Sequence, residues 1–258
     1  MTAQTPLFSD VDNTTHAVDI LYTQANERVA ESPYHQHRKG QLVMPTCGSV
    51  TSRIKDAIWI VPPYSAVWIP GDVPHSNQLT PEGEGYMLFI EPDAADMPDQ
   101  VCTLSVSPLI REILITLAAR PQDYPADSPT ARLVQVLLDE LPTMPREQFD
   151  FPIPQEPRLN QIATALLADP ADRRTMAQWA NAYAMSEKTL SRLVKQQTGL
   201  TFGNWRKQLH IVVALQQLTS GNPVQQVSEQ LGYESVSAFI TFFKKSLGRP
   251  PKQYMAAR

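Results

Sequence analysis

The chain has 258 residues, 42% of them apolar, with 22 Lys and Arg against 26 Asp and Glu for a net charge of −4, a balance that excludes disordered, collagen-like and strongly charged classes. No window of about 18 uninterrupted apolar residues exists, and the polar, acidic start (Gln4, Ser9, Asp10, Asp12) lacks the features of a secretory leader, so a cytoplasmic protein with no membrane partner is expected. Two cysteines, Cys47 and Cys102, are too few for a disulfide framework or a thiolate zinc site.

From Ala17 to about Glu91 short apolar runs alternate with Gly, Pro and Asn: 18–22, 41–44, 58–61, 66–69 and 86–90. Their β-branched and aromatic content and closely spaced turns predict a small β-barrel or sandwich. The period then changes. Residues 108–119 and 130–141 carry apolar side chains at helical spacing, the first behind a leading Pro. Five prolines between Pro142 and Pro157 predict a stiff extended linker. Beyond it six helical segments are expected, at 158–168, 175–183, 186–198, 201–220, 224–231 and 235–247. The resulting domain plan is 1–141, a linker at 142–157, and 158–258, in an α+β chain.

Charge divides along the same line. Residues 156–258 hold 13 Lys and Arg against 6 Asp and Glu, a balance of +7, while the rest of the chain stands at −11. A polyanion partner is therefore expected for the C-terminal half alone.

That half contains two copies of one pattern. Met176-Ala177-x-x-Ala180 leads through Tyr183-Ala184-Met185 to Ser186-x-x-Thr189-Leu190-x-x-Leu193-Val194-Lys195-x-x-x-Gly199. About 49 residues later, Val224-x-x-Val227-x-x-x-Leu231 leads through Gly232-Tyr233-Glu234 to Ser235-x-x-Ala238-Phe239-x-x-Phe242-Phe243-Lys244-x-x-x-Gly248. Each copy reads as a helix, a tight turn and a second helix capped by Ser, joined by one long helix over 202–218. Burying Leu190, Leu193 and Val194 leaves Lys188, Ser191, Arg192 and Lys195 outward; burying Phe239, Phe242 and Phe243 leaves Ser237, Ile240 and Thr241 outward, flanked by Lys244 and Lys245. Arg can pair bidentately with guanine, Lys can neutralise phosphates, and the second, uncharged face suits thymine methyl contact or indirect readout.

Ended by Arg249-Pro250-Pro251-x-x-Tyr254, this tandem pattern resembles the AraC/XylS family of bacterial transcription regulators over about Arg158 to Arg258. The resemblance implies base contacts by Lys188, Ser191 and Arg192 in one major groove and by Ser237, Ile240 and Thr241 in the next, with Lys195, Lys244 and Lys245 on the DNA backbone. Val194 and Thr241 depart from residues frequent in that family, which weakens the expectation for the second site.

In the N-terminal half, Tyr34-His35-Gln36-His37 places two imidazoles on one side of a strand, and His75 opens another strand after Trp68-Ile69-Pro70-Gly71-Asp72-Val73-Pro74. Three histidines so arranged resemble the ligand set of the cupin fold, with Gln41 where metal-binding cupins usually offer Glu. Three readings stay open: a divalent transition metal (Zn, Ni, Cu or Fe) on His35, His37 and His75; an organic effector held by His35, His37, Gln41, Trp59, Trp68 and His75, with Tyr64, Met44 and Phe89 nearby; or histidines that merely satisfy the interior. Together with the runs at 59–70 and 74–75, this half resembles the regulator subgroup that includes the nitroimidazole-resistance regulator.

The resulting expectation is a non-enzymatic, one-component regulator controlling nearby genes, an efflux transporter gene among the candidates. Its partners would be double-stranded DNA, a small-molecule or metal effector, a second copy of the chain through the two middle helices, and RNA polymerase if it activates. The alternative is a cupin metalloenzyme of dioxygenase or isomerase type with a helical appendage.

Overall fold

A computed structural model of the chain describes residues 11–25, 31–54, 57–63, 65–81, 83–147 and 150–256; Tyr64 lies outside them. The strands are β1 (Val18–Gln24), β2 (Gly40–Cys47), β3 (Val50–Ile54), β4 (Ala57–Val61), β5 (Ser65–Ile69), β6 (His75–Leu79), β7 (Glu84–Ile90), β8 (Cys102–Ser105), β9 (Arg146–Glu147) and β10 (Asp150–Pro152). The helices are α1 (Pro108–Ala118), α2 (Pro129–Glu140), α3 (Pro157–Ala168), α4 (Met176–Ala182), α5 (Glu187–Thr198), α6 (Phe202–Thr219), α7 (Val224–Gln230), α8 (Val236–Leu247) and α9 (Pro251–Ala256). They form two compact units, residues 1–55 with 61–148, and residues 56–60 with 149–258.

The first unit is built on an antiparallel sheet of order β1-β7-β2-β5-β8-β9, with β3 and β6 paired separately. Successive side chains of a strand point to opposite faces. Leu42, Met44, Ala66, Trp68, Leu88 and Ile90 therefore share one face, and α1 and α2 cover it with Ile110, Ile113, Leu114, Leu117, Val134, Leu137 and Leu138. Ser107 and Ser128 cap these helices, accepting from the amides of Ile110 and Ala131, each ahead of a Pro in the first turn. Trimming a fully buried leucine here, Leu114 or Leu137, costs about 2–5 kcal/mol by the usual cavity penalty. The other face carries Gln41, Val43, Val67, Ile69 and Phe89, also buried. β6 and β3 close over it, since Asn77 Nδ2 donates to Gln41 Oε1 (3.2 Å) and Ser52 Oγ to Asn77 Oδ1 (2.6 Å). A sheet covered on both faces explains why β2 and β5 read as unbroken apolar runs.

At the start of β2, Gly40 is obligatory because a Cβ there would fall 2.0 Å from the Trp68 ring. Beside it Lys39 is fully buried. Its ammonium donates to Thr14 Oγ1 (2.7 Å), the His16 carbonyl (3.0 Å) and Asp19 Oδ2 (2.6 Å), which satisfies all three protons. Burial raises the Asp19 pKa, but hydrogen bonds from Lys39, Thr14 and His16 outweigh it and hold the carboxyl below its ordinary value.

In the second unit α6 is the spine. Its first half packs Trp205, Leu209 and Val212 against Leu159, Ile162 and Leu166 of α3, Trp179 of α4 and Leu190 and Val194 of α5. Its second half packs Ile211, Leu215 and Leu218 against Val227, Phe239 and Phe243. Thr175 and Gln178 form a reciprocal capping box at the start of α4, and Ser186 and Ser235 cap α5 and α8. The two helix-turn-helix units are not identical repeats. The first turn runs from Ala184 (φ 51°) to Ser186, the second from Gly232 (φ 72°) to Ser235, one residue longer.

Residues 142–157, expected to be an unpacked linker, are instead part of the fold. β9 pairs with β8 in the first unit, and β10 pairs with β4 in the second. Phe151 is fully buried and stacks on Trp205 (5.3 Å, 9°), whose indole N–H donates to the Pro152 carbonyl at 2.9 Å. Pro152 forms the last residue of the three-residue strand and the other prolines lie outside it, while the apolar Phe151 supplies the packing. With the boundary near 148, and 56–60 grouped with the helices, the domain limits differ from those expected. α9 was also not anticipated; Tyr254 on it packs against Phe243 at 5.5 Å.

Candidate functional site

Two arrangements stand out, a buried histidine cluster in the first unit and a pair of exposed helix faces in the second.

His35 and His37 lie in the irregular segment before β2, not on a strand, and His75 opens β6. The His35 and His75 backbones exchange hydrogen bonds of 2.9 Å in both directions, which brings the three rings together with centroids 4.5, 5.1 and 5.7 Å apart. Each Nδ1 lies against a backbone carbonyl two residues away: Pro33 at 2.7 Å for His35, Lys39 at 2.6 Å for His37, Val73 at 2.8 Å for His75. A carbonyl can only accept, so Nδ1 carries the proton and Nε2 keeps its lone pair. The Nε2 atoms of His37 and His75 are buried without a hydrogen-bond partner, as is Gln41 Nε2. Burial is the main force lowering the His75 pKa to about 4, with His35 and His37 acting in the same direction; burial likewise lowers His37. Both rings are neutral near neutral pH.

One donor nitrogen from each of the three histidines lies within 4.8 Å of the others. A tetrahedral ion at ~2.0–2.1 Å from each would set them ~3.3 Å apart, so the rings need to close by ~1.5 Å at most. Imidazoles oriented by carbonyls on their far nitrogens are the donor set that zinc, nickel, copper or iron accepts. Gln41 borders the cluster and Phe89 stacks edge-on to His37 at 5.1 Å.

Neither tryptophan expected beside the histidines faces them within the first unit. Trp68 pairs with Leu42, Gln41 pairs with Ile69, and the pleat therefore turns Trp68 to the α1–α2 face, where its indole donates to the Pro98 carbonyl at 2.6 Å. Trp59 lies on β4 opposite Asp150, within the other compact unit. Asn77 and Ser52 are the interior polar groups that sequence reading passed over; Asn77 was legible as the same-face neighbour of His75, two residues on.

In the second unit Lys188, Ser191, Arg192 and Lys195 are all exposed on α5, opposite the fully buried Leu190 and Val194. Arg192 Nη1 donates to Gln196 Oε1 at 3.3 Å, and Lys195 Nζ to the Gly199 carbonyl at the helix end. On α8, Ser237, Thr241, Lys244 and Lys245 are exposed and Ile240 half-buried, opposite Phe239 and Phe243. The Thr241 hydroxyl donates to the Ser237 carbonyl at 2.9 Å, leaving an acceptor outward.

Residues 179–257 match the model of a helix-turn-helix domain and residues 17–150 that of an AraC-like ligand binding domain. The chain is 48% identical to the HTH-type transcriptional regulator NimR of Escherichia coli K12 over 225 residues, 87% of this chain and 82% of that one. It is 29% identical to the regulator RipA of Corynebacterium diphtheriae over 48% of this chain and 36% of that protein. A solved structure of ToxT from Vibrio cholerae aligns over 92% of this chain and 96% of its own at 11% identity and a TM-score of 0.39. Among the described residues no helix is long and apolar enough to cross a membrane.

Proposed function

This chain belongs to the AraC family of helix-turn-helix transcriptional regulators, and we propose that it reads operator DNA by laying α5 and α8 in two successive major grooves. Lys188, Ser191 and Arg192 are the base readers of the first groove and Ser237, Ile240 and Thr241 those of the second, while Lys195, Lys244 and Lys245 hold phosphates. The observation that carries this is the pair of capped helices, each buried along one face and open along the other. Duplexes enriched from a random pool by the full chain should carry two short motifs about one helical turn apart. A single motif, or none, overturns the two-groove reading.

The first unit is then the sensor, with His35, His37, Gln41 and His75 as its effector site. We assign the three histidines to one divalent transition ion (Zn, Ni, Cu or Fe); unpartnered, neutral Nε2 atoms on His37 and His75 support this, since a buried polar atom without a partner is costly. When bound, the ion would supply a Lewis-acidic position for an effector donor atom. Elemental mass spectrometry of the purified chain should find roughly one equivalent of metal, with a matching rise in melting temperature over chelated protein. Chelated protein that neither gains stability nor retains metal on adding zinc, nickel, copper or iron overturns the assignment.

A sensor, and not an enzyme, is the reading that Gln41 supports: a carboxylate there could shuttle protons, and an amide cannot. A homodimer through α1 and α2 is supported by Leu109 and Val136, which stay 52% and 43% exposed. A DNA target supports a cytoplasmic protein acting on neighbouring genes, with RNA polymerase as a further partner where it activates.

A further inference from the structure

Where the two helix-turn-helix units meet along α6, four side chains make the junction. His210, midway along α6, touches both units: Nε2 lies 3.1 Å from the Pro170 carbonyl in the loop before α4, and Nδ1 lies 3.1 Å from the Tyr233 hydroxyl in the turn before α8. The carbonyl fixes the proton on Nε2, so Nδ1 accepts from the tyrosine. One turn earlier on α6, Arg206 donates to the Asp172 and Arg174 carbonyls of the same loop. From that loop Arg173 donates in turn to the Gly232 carbonyl at 2.6 Å. The contact is close enough to dictate sequence. A Cβ on Gly232 would lie 2.9 Å from the Ala171 carbonyl oxygen, and its φ of 72° already favours glycine. Around this junction Tyr233 packs its ring against Phe239 and Phe242 of α8 at 5.4 Å.

The consequence concerns α5 and α8: His210 meets α8 only edge-on at the Phe242 ring (6.1 Å), on the side opposite the exposed readers. α5 is fixed to the loop through α4, and α8 to the second turn through Tyr233, so a clasp between loop and turn holds one recognition helix relative to the other. α6 itself joins the two units as one continuous helix, with a hydrophobic cluster toward each.

We propose that the clasp formed by His210, Tyr233, Arg173 and Arg206 fixes the spacing of the two recognition helices and so restricts the chain to operators whose two half-sites lie at one separation. These are positioning residues; none faces the grooves. The inference rests on α5 and α8 as two groove readers, and its test separates the two ideas.

His210→Ala leaves a hole that could unfold the junction, so the variant of choice is Tyr233→Phe with Arg173→Ala, which removes two clasp bonds and keeps the rings. In full-length protein with Cys47→Ser and Cys102→Ala, spin labels at Gln197→Cys and Ser246→Cys report the distance between α5 and α8 without DNA. A narrow distance distribution that broadens in the variant supports the clasp; one that stays narrow overturns it. The DNA readout uses the duplex enriched by the unmodified chain and the same duplex with one base pair inserted between its halves, a shift of ~3.4 Å and ~35°. The unmodified chain should disfavour the insertion on the order of tenfold, the scale of a misplaced base contact, and the variant by less than about threefold. A variant that weakens on both duplexes by the same factor shows packing damage and overturns the proposal. Enrichment of only one half-site together with a broadened distance distribution would sustain the clasp and count against the two-groove reading.

Discussion

The β-rich unit and the helical unit each hold a histidine whose pKa falls to about 4, mainly through desolvation, His75 fully buried and His210 half-buried. His210 has both ring nitrogens engaged, by the Tyr233 hydroxyl and the Pro170 carbonyl. His75 has only Nδ1 engaged, and its Nε2 is buried with no hydrogen-bond partner. A similar downward shift thus marks two different objects: a closed joint that holds two pieces of protein together, and an open valence that waits for something else. The titration behaviour is the same for both, and hydrogen-bond bookkeeping separates them.

The sharpest way to break this contrast is the metal. His75→Ala should abolish stoichiometric loading, a loss of two orders of magnitude or more in affinity against the roughly 10–100-fold that even an outer partner contributes, while the chelated variant still unfolds cooperatively in urea. Retained loading would make His75 a core residue. Next in size, His210→Ala should cost about 2–4 kcal/mol in the same assay, from two lost hydrogen bonds, two stranded partners and a cavity. A cost under 1 kcal/mol would erase the distinction. Arg192→Ala should then weaken the enriched duplex by about 1–3 kcal/mol and relax preference at one base pair; an equal loss on random DNA would remove Arg192 from base readout.

Acid gives a smaller effect with a definite sign. The folded-state pKa of His210 lies near 4, below the ~6.5 of an unfolded chain, so the unfolded state binds the proton first. Its contribution is complete above about pH 6.5 and declines as pH falls toward 4, by about 1.4 kcal/mol at pH 5.5. Urea unfolding with chelator at pH 7.5 and 5.5 should show that loss added to the one His75 makes, and His210→Gln should lose less than wild type by about 1.4 kcal/mol; an identical loss in the variant would refute the titration. Last, Lys244→Ala should lower affinity for all sequences alike and reduce the salt slope by about 0.9, checked by anisotropy titrations across ionic strength.

The helical unit was almost wholly legible in sequence because its signals are local: apolar residues at helical spacing, Ser186 and Ser235 at the helix starts, Gly199 and Gly248 at their ends. The barrel was legible as strands but not as faces. Whether Trp68 or Ile69 shares a side with Gln41 depends on cross-strand register, which no single strand encodes. Phe151 was read as linker because its partner strand β4 lies about ninety residues earlier, and prolines dominate its surroundings. The clasp left no sequence signal either: His210, Pro170 and Tyr233 are 40 and 23 residues apart, and each alone looks like an ordinary helix, loop or turn residue.

Lys39 offers a use that follows from its position alone. With Thr14, the His16 carbonyl and Asp19 occupying all its protons, its amine has neither exposure nor a free lone pair with which to attack an acylating reagent. The other lysines among the described residues sit on the surface or nearer to it. Brief amine acylation followed by peptide mass spectrometry will therefore leave Lys39 unlabelled until residues 14–19 lift away from β2. The labelling rate at this one position is a built-in clock for local opening at the edge of the sensor, readable with and without metal, effector or DNA.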